Sequence, residues 1–137
     1  MARNNAVLHR SRQIQFHRKN LFDPDLFQDK RFDLIISNPP YISNQEKPQC
    51  DTGIFHEPAV ALFVNQPLKF YSMIINRAKA QWLHHGGYLV FECSPFNVNL
   101  IQSAFNRLPE TFNHVKVRYD GNDLPRVISA RKTVLSC

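Results

Sequence analysis

The spacing of apolar positions changes repeatedly along this chain, and each change predicts an element. Residues 2–10, Ala-Arg-Asn-Asn-Ala-Val-Leu-His-Arg, read as the last turns of a helix, with Leu8 and either Ala2 or Val7 turned toward a sheet. Gln13-Ile14-Gln15-Phe16-His17 alternates with a period of two, which predicts a strand. In Phe32-Asp33-Leu34-Ile35-Ile36-Ser37 three apolar residues stand in a row, two of them β-branched. That run predicts a strand in a parallel sheet covered on both faces. Pro39 and Pro40 then end it, because a proline cannot donate to the ladder. Residues 43–66 are polar and irregular, and a loop of that length in a compact domain points to a task of its own. A helix is predicted to begin around Asn65 to Pro67. Its buried face is Tyr71, Ile74, Ile75, Ala78 and Trp82, and Gly86-Gly87 ends it. Tyr88-Leu89-Val90-Phe91 predicts a second fully apolar strand. Ser94-Pro95 opens another helix, with Leu100, Ile101, Ala104, Phe105 and Leu108 inside. Residues 114–119 and 125–130 predict two closing strands around the turn Asp120-Gly121-Asn122-Asp123. Strands alternating with helices at crossover spacing predict an α/β fold with a mostly parallel sheet.

The totals narrow this picture. The 137 residues and 16.0 kDa suit one modest domain with a real core. No apolar run reaches the length of a membrane span. Three scattered cysteines, Cys50, Cys93 and Cys137, argue for a reducing compartment and against a disulfide framework or a zinc site. The six histidines form no ligand cluster, and His84-His85 fit a helix end better than a metal. The formal charge is +6 but unevenly placed. Arg3, Arg10, Arg12, Arg18 and Lys19 all precede the first acid, Asp23, and the rest of the chain is almost neutral. A basic head attracts RNA, an acidic partner surface or an import receptor, or is simply a solvated helix end with an edge strand.

The candidate chemistry sits where the apolar strand meets the prolines. Each proline restricts the residue before it, so Asn38 and Pro39 are held near extended geometry. An amide side chain and nearby carbonyls are thereby fixed at the carboxyl end of a strand, where ligands gather on open α/β sheets. Asn38-Pro39-Pro40-Tyr41 resembles the catalytic motif of methyltransferases that use S-adenosyl-L-methionine and act on planar nitrogens. The whole chain is similar to the HemK-like protein glutamine methyltransferases, which modify peptide chain release factors. The motif continues as Ile42-Ser43, and Glu57-Pro58 precede Ala61-Leu62 as in that family's Glu-Pro-x-x-Ala-Leu segment. Leu68 and Tyr71 lead into a helix, Glu92 follows on the next strand, and Asp120 to Arg126-Val127 resemble the family's closing segment.

The resemblance implies a partial class I methyltransferase sheet, Rossmann-like, lacking its first strands, mostly parallel with an antiparallel final strand. It implies a single truncated catalytic domain over residues 1–137, with residues 43–66 as the substrate-side loop. It gives catalytic roles to Asn38, Pro39 and Tyr41. The Asn38 side-chain oxygen and the Pro39 carbonyl accept the two hydrogens of a glutamine amide, and Tyr41 packs over its plane. Pro40, Glu57 and Pro58 shape the substrate pocket, and Asn20 and Asn38 lie toward the cofactor. Glu92 reads equally as a buried structural acid or a pocket residue, and Arg126 as a structural partner of Asp120 or Asp123. No metal is implied.

The departures carry their own expectation. The four glycines, Gly53, Gly86, Gly87 and Gly121, form no strand-loop-helix cradle for the cofactor. Asn20 stands where the family has an acid, Cys93-Ser94 replaces a hydrophobic-glycine pair, and Gln66-Pro67 replaces Asp-Gly. The chain is therefore expected to be a truncated or alternatively started product, impaired in cofactor binding and prone to aggregate or to need a complementing amino-terminal fragment. Two other functions stay open. One is a non-enzymatic fragment that binds a partner chain or RNA through its basic head and exposed strand edge. The other is an adenine-base methyltransferase, although a base enzyme needs a spread basic surface. Release factors place the chain in mitochondria if eukaryotic and otherwise in the cytoplasm.

Overall fold

The computed structural model describes residues 2–10, 13–40, 42–43, 63–64 and 67–134. The first helix, α1, spans Ala2–Leu8 and buries none of its residues. Arg10 ends it in the left-handed region with φ 52°. The strand expected at residues 13–17 is absent. Ile14 and Phe16 are exposed, and the segment is irregular. Alternation alone does not hold a strand without a neighbour to pair with. The chain then turns through Asn20 to Lys30 and is fastened to the body from outside. The Arg77 guanidinium donates to the carbonyls of Asp23 (3.0 Å) and Pro24 (2.8 Å), and the Trp82 indole N–H donates to Leu26 (3.0 Å).

Strand β1 is Phe32–Ser37. Two short strands, β2 (Ile42–Ser43) and β3 (Phe63–Val64), pair parallel with each other. Helix α2, Pro67–Arg77, starts on a proline, whose missing N–H costs nothing in the first turn. It runs directly into a π-helical turn, Ala78–Trp82. The glycine pair does not end this helix as expected. Leu83 is already extended, and both glycines lie inside β4, Leu83–Glu92. After β4 come helix α3 (Val98–Asn106), β5 (Phe112–Tyr119) and β6 (Pro125–Lys132).

The glycines have a different task. Phe32 pairs with Leu83 and Leu34 with Tyr88, so β4 carries three more residues than β1 across that interval. Gly86 absorbs the excess at φ 83°. At Gly87 an added Cβ would stand 2.8 Å from the Asp33 carbonyl oxygen and 3.0 Å from that of His84. Both obstacles are backbone, so Gly87→Ala is expected to lower stability by about 1–3 kcal/mol. A urea titration checks this, and an unchanged midpoint would contradict it.

The main sheet has the order β1-β4-β6-β5. β1 and β4 are parallel, and β6 is antiparallel to both β4 and β5. Three strands thus share one direction and the final strand opposes them, as the resemblance implied. Helices α2 and α3 cover one face. Tyr71, Ile74, Ile75 and Ala78 of the first and Val98, Ile101 and Phe105 of the second pack on Leu89, Phe91, Ile128 and Ala130 of the sheet. Leu100, expected inside, is 52% exposed, and Val98 takes the inner position. Among the described residues the other face is open. Leu34 (52%) and Ile36 (70%) of β1 are exposed, so among these residues the strand is an edge covered on one side only, where its composition predicts a doubly covered strand.

Candidate functional site

The Asn-Pro-Pro corner begins where the ladder ends. Ser37 pairs with Phe91 as the last register of β1 against β4. Asn38, the next residue, is exposed, Pro39 is buried and Pro40 half-buried. A buried proline behind an exposed amide is a rigid mount. The chain leaving the corner meets residues returning from the long loop, because Ile42 pairs with Phe63 and Ser43 with Val64. The base of the segment between them is thereby closed close to Asn38 in sequence. Tyr41, Glu57 and Pro58 lie outside the described residues.

Asn20 occupies a turn of its own, where its side-chain oxygen accepts the Phe22 N–H at 3.0 Å. Glu92 ends β4 beside β1 and is half-buried, and its carbonyl accepts the Tyr71 hydroxyl at 2.9 Å. Cys93 follows, fully buried, with its N–H donating to the Arg126 carbonyl at 2.9 Å. Ser94 and Asn97 are buried too, and the Asn97 side-chain oxygen accepts the Ser94 N–H at 3.0 Å. The sequence reading passed over Asn97. A Ser-Pro-x-Asn run before a helix was the signal, because such a side chain satisfies backbone N–H groups ahead of the first turn.

Arg126 resolves the alternatives left open for it. Its Nε donates to Asp120 Oδ2 at 2.7 Å. Asp120 Oδ1 also accepts the N–H groups of Asn122 (2.9 Å) and Leu124 (3.1 Å). The Arg126 hydrogen bond first, then those backbone donors, hold the Asp120 carboxyl below its ordinary value. The arrangement shapes the β5–β6 turn at an exposed position, where ion pairs contribute little.

Burial, and then the Glu92 carboxylate, push the Cys93 thiol up from 9.0 to about 11, while Arg126 pulls the other way. A thiol raised on folding stabilises the fold below its unfolded value, and that contribution is lost as pH rises through the folded one. Stability is therefore expected to decline between about pH 9 and 11. A Cys93→Ala variant should lack that share of the decline. At pH 8 a thiol reagent should label Cys93 only after denaturant is added. Rapid labelling of the folded chain at that position would contradict this.

A cleft of about 400 Å³ opens beside the free edge of β1. Phe27, Phe32, Leu34, Ile36 and Trp82 line it, with Gln15 and His17 from the irregular segment, and Asn38 does not. The described residues thus place an exposed amide side chain, that of Asn38, just past a strand end. They do not form a cradle for a nucleoside or an amino-acid tail. Gly86 and Gly87 are taken up by β4, and Gly121 stands in open space. No group of three or more metal-ligating side chains occurs among the described residues.

Comparison with known proteins decides the family. A family model described as Eco57I restriction-modification methylase matches residues 2–104, three quarters of the chain. The chain belongs to this methylase family, as a HemK-like member. Among curated proteins, it is 39% identical over 83 residues to a release factor glutamine methyltransferase of Bacteroides thetaiotaomicron, covering 58% of this chain and 30% of that protein. It is 32% identical over 136 residues to one from Fusobacterium nucleatum, covering 98% of this chain and 37% of the relative. A bifunctional methyltransferase of Rickettsia felis is 40% identical over 95 residues, covering 67% of this chain and 18% of that protein. The chain thus spans well under half the length of these relatives. Membership in this family implies S-adenosyl-L-methionine as the methyl donor.

Proposed function

We propose that the Asn38-Pro39-Pro40-Tyr41 corner orients a glutamine side-chain amide of a peptide chain release factor for methylation on nitrogen. The observation that carries the reading is the exposed Asn38 amide mounted on buried Pro39 at the carboxyl end of β1. The relatives named release factor glutamine methyltransferase support the substrate class.

A glutamine nitrogen is a poor nucleophile because its lone pair is delocalised into the carbonyl. The Asn38 side-chain oxygen and the Pro39 carbonyl accept the two amide hydrogens, which fixes the amide plane. The face of the nitrogen then points one way, and the two fixed dipoles favour positive charge building on it. Tyr41 packs over the plane, and Pro40, Glu57 and Pro58 border the substrate. Asn20 joins Asn38 on the cofactor side. The cofactor, when bound, supplies an electrophilic methyl group. Orientation and preplaced dipoles are the catalytic device; the methylated nitrogen is strongly acidic and releases its surplus proton to water after transfer, so neither a positioned general base nor a covalent intermediate is needed. No helix among the described residues is long and apolar enough to cross a membrane. The compartment in this reading is that of the release factor, cytoplasm or mitochondrion.

The test combines the purified chain, labelled S-adenosyl-L-methionine and a release factor with a Gly-Gly-Gln loop. A second arm adds the glycine-rich amino-terminal half of a relative's methyltransferase domain. The expected result is label on the glutamine in the second arm and little in the first. Asn38→Ala should reduce it by about 10²-fold or more. Labelling undiminished by Asn38→Ala would overturn the catalytic assignment. Tight cofactor binding by the isolated chain in calorimetry would overturn the need for a complement. The restriction-modification description of the family model favours a second reading, methylation of an adenine base. A duplex DNA arm in the same assay separates the two readings.

A further inference from the structure

Pairing between β1 and β4 fixes what stands beside the Asn38 corner. Ser37 pairs with Phe91, so the residues that follow, Asn38 and Glu92, leave neighbouring strands side by side. Neighbouring strands lie about 4.8 Å apart. Side chains alternate along β4. Leu89 and Phe91 are buried under the helices, which puts Val90 and Glu92 on the opposite side of the sheet. On β1 the exposed Leu34 and Ile36 share that side, and the next step of the same alternation is Asn38. The backbone at Glu92 is pinned. Its carbonyl accepts the hydroxyl of buried Tyr71 at 2.9 Å, it pairs with Val127 of β6, and the Cys93 N–H after it donates to the Arg126 carbonyl at 2.9 Å. The other described acids at this end are placed elsewhere. Asp120 is bound by Arg126, and Asp123 stands out in the exposed β5–β6 turn. Glu92 is half-buried, and its charge is felt nearby: after burial, it is what raises the Cys93 thiol.

We infer that the Glu92 carboxylate is the counter-charge for the acceptor nitrogen, stabilising the positive charge that arrives there during methyl transfer. This role rests on the glutamine-amide reading of the Asn38 corner. As the nitrogen lone pair forms its bond to the methyl carbon, the bond from that carbon to sulfur breaks. One positive charge thereby moves from sulfur to nitrogen, and one amide proton then leaves to water. The Asn38 and Pro39 oxygens belong to neutral dipoles, whose attraction for that charge falls off faster with distance than that of a full charge. A carboxylate fixed on a neighbouring strand needs no movement to act, and a half-buried position screens it less than bulk water does. Such a group does little for the neutral amide and much for the charged nitrogen, so it raises the rate rather than the affinity. An acid that only holds the strand end together would act on both alike.

The experiment uses the full chain and two labelled peptides, one carrying Gly-Gly-Gln and the other ornithine in place of that glutamine. Ornithine sets a protonated nitrogen as many bonds from the backbone as the glutamine amide nitrogen. Fluorescence anisotropy should show the ornithine peptide binding more tightly than its twin, with a preference that weakens in salt. Glu92→Gln should cut that preference at least about tenfold and leave affinity for the glutamine peptide within about twofold. Glu92→Asp should keep part of the preference. In the complemented methylation assay, Glu92→Gln should lower kcat at least about tenfold with KM within about twofold. Its urea midpoint should stay close to the parent's. Should Glu92→Gln unfold, Glu92→Asp and the salt dependence of the preference carry the same test. Binding of the glutamine peptide with a preference, or a kcat, indifferent to Glu92→Gln would overturn the counter-charge alone. So would equal losses of affinity for both peptides together with a lowered urea midpoint, which mark a structural acid. Failure of both peptides to bind would overturn the glutamine reading and the counter-charge with it.

Discussion

Truncating Phe91 to alanine is expected to remove about 4 kcal/mol of stability. Phe91 is fully buried on β4, the strand that pairs with both β1 and β6. Its ring meets Tyr71 of α2 edge-on, with centroids 5.1 Å apart. On the other side it meets Phe105 of α3 at 6.2 Å, and Phe105 meets Phe112 of β5 at 5.3 Å. One side chain thus joins both helices to the sheet, and neighbours fixed on three elements cannot collapse into the space it leaves. Domains of this size have a total stability of roughly 7–20 kcal/mol. The variant should therefore stay folded in water with roughly 3–16 kcal/mol left, and unfold at a clearly lower urea concentration, as circular dichroism would show. A midpoint within error of the parent would mean that this ring chain does not hold the helices. Phe91→Leu should lose about half as much, because it restores part of the volume.

Replacing Lys132 by methionine is expected to cost about 2–3 kcal/mol, although no opposing acid is lost. Lys132 is only 4% exposed, at the end of β6. Its ammonium donates to three carbonyls, those of Ala78 (3.0 Å), Lys79 (2.8 Å) and Leu83 (2.9 Å). These are carbonyls of the π-helical turn and of the first residue of β4, where the regular helical ladder gives way. Methionine keeps most of the volume and leaves the three acceptors without this donor. Burial first, and then the Arg31 guanidinium, push the lysine down from its ordinary value. That desolvation offsets part of the gain, so the net effect is smaller than three charge-assisted hydrogen bonds would suggest. Hydrogen exchange at Ala78–Leu83 should accelerate in the variant more than exchange in α3. Uniform acceleration across the chain would mean that the cap acts only through global stability.

These two residues show what a sequence reveals and what it conceals. Phe91 was legible as core because it closes the run Tyr88 to Phe91. The Asn38 corner was legible because proline imposes the same backbone limits in any context. Lys132 was not. A lysine in an Arg-Lys-Thr run reads as surface, and its three acceptors lie about fifty residues away. Gly86-Gly87 were misread for a related reason. Glycine after an apolar helix face is the usual stop signal, but here the helix ended earlier by widening into a π turn, and the glycines served a strand irregularity instead. Gln13 to His17 alternate as a strand should, and pairing depends on a neighbour that local pattern cannot supply. For the candidate site, the sequence located the corner and the Arg126 alternatives, but not the Asn97 contact with Ser94.

The two margins of the main sheet are unlike, and this sets where a strand can be added. The outer strand β5 is broken by irregularities after Asn113 and after Arg118, places His114 at φ 50°, and displays Lys116 and Arg118. Bulges and exposed cations discourage edge-to-edge growth. Among the described residues the opposite margin, β1, has no paired neighbour, and Gln15, His17 and Lys30 stand at the cleft beside it. A strand added to this sheet is therefore expected at β1 and not at β5.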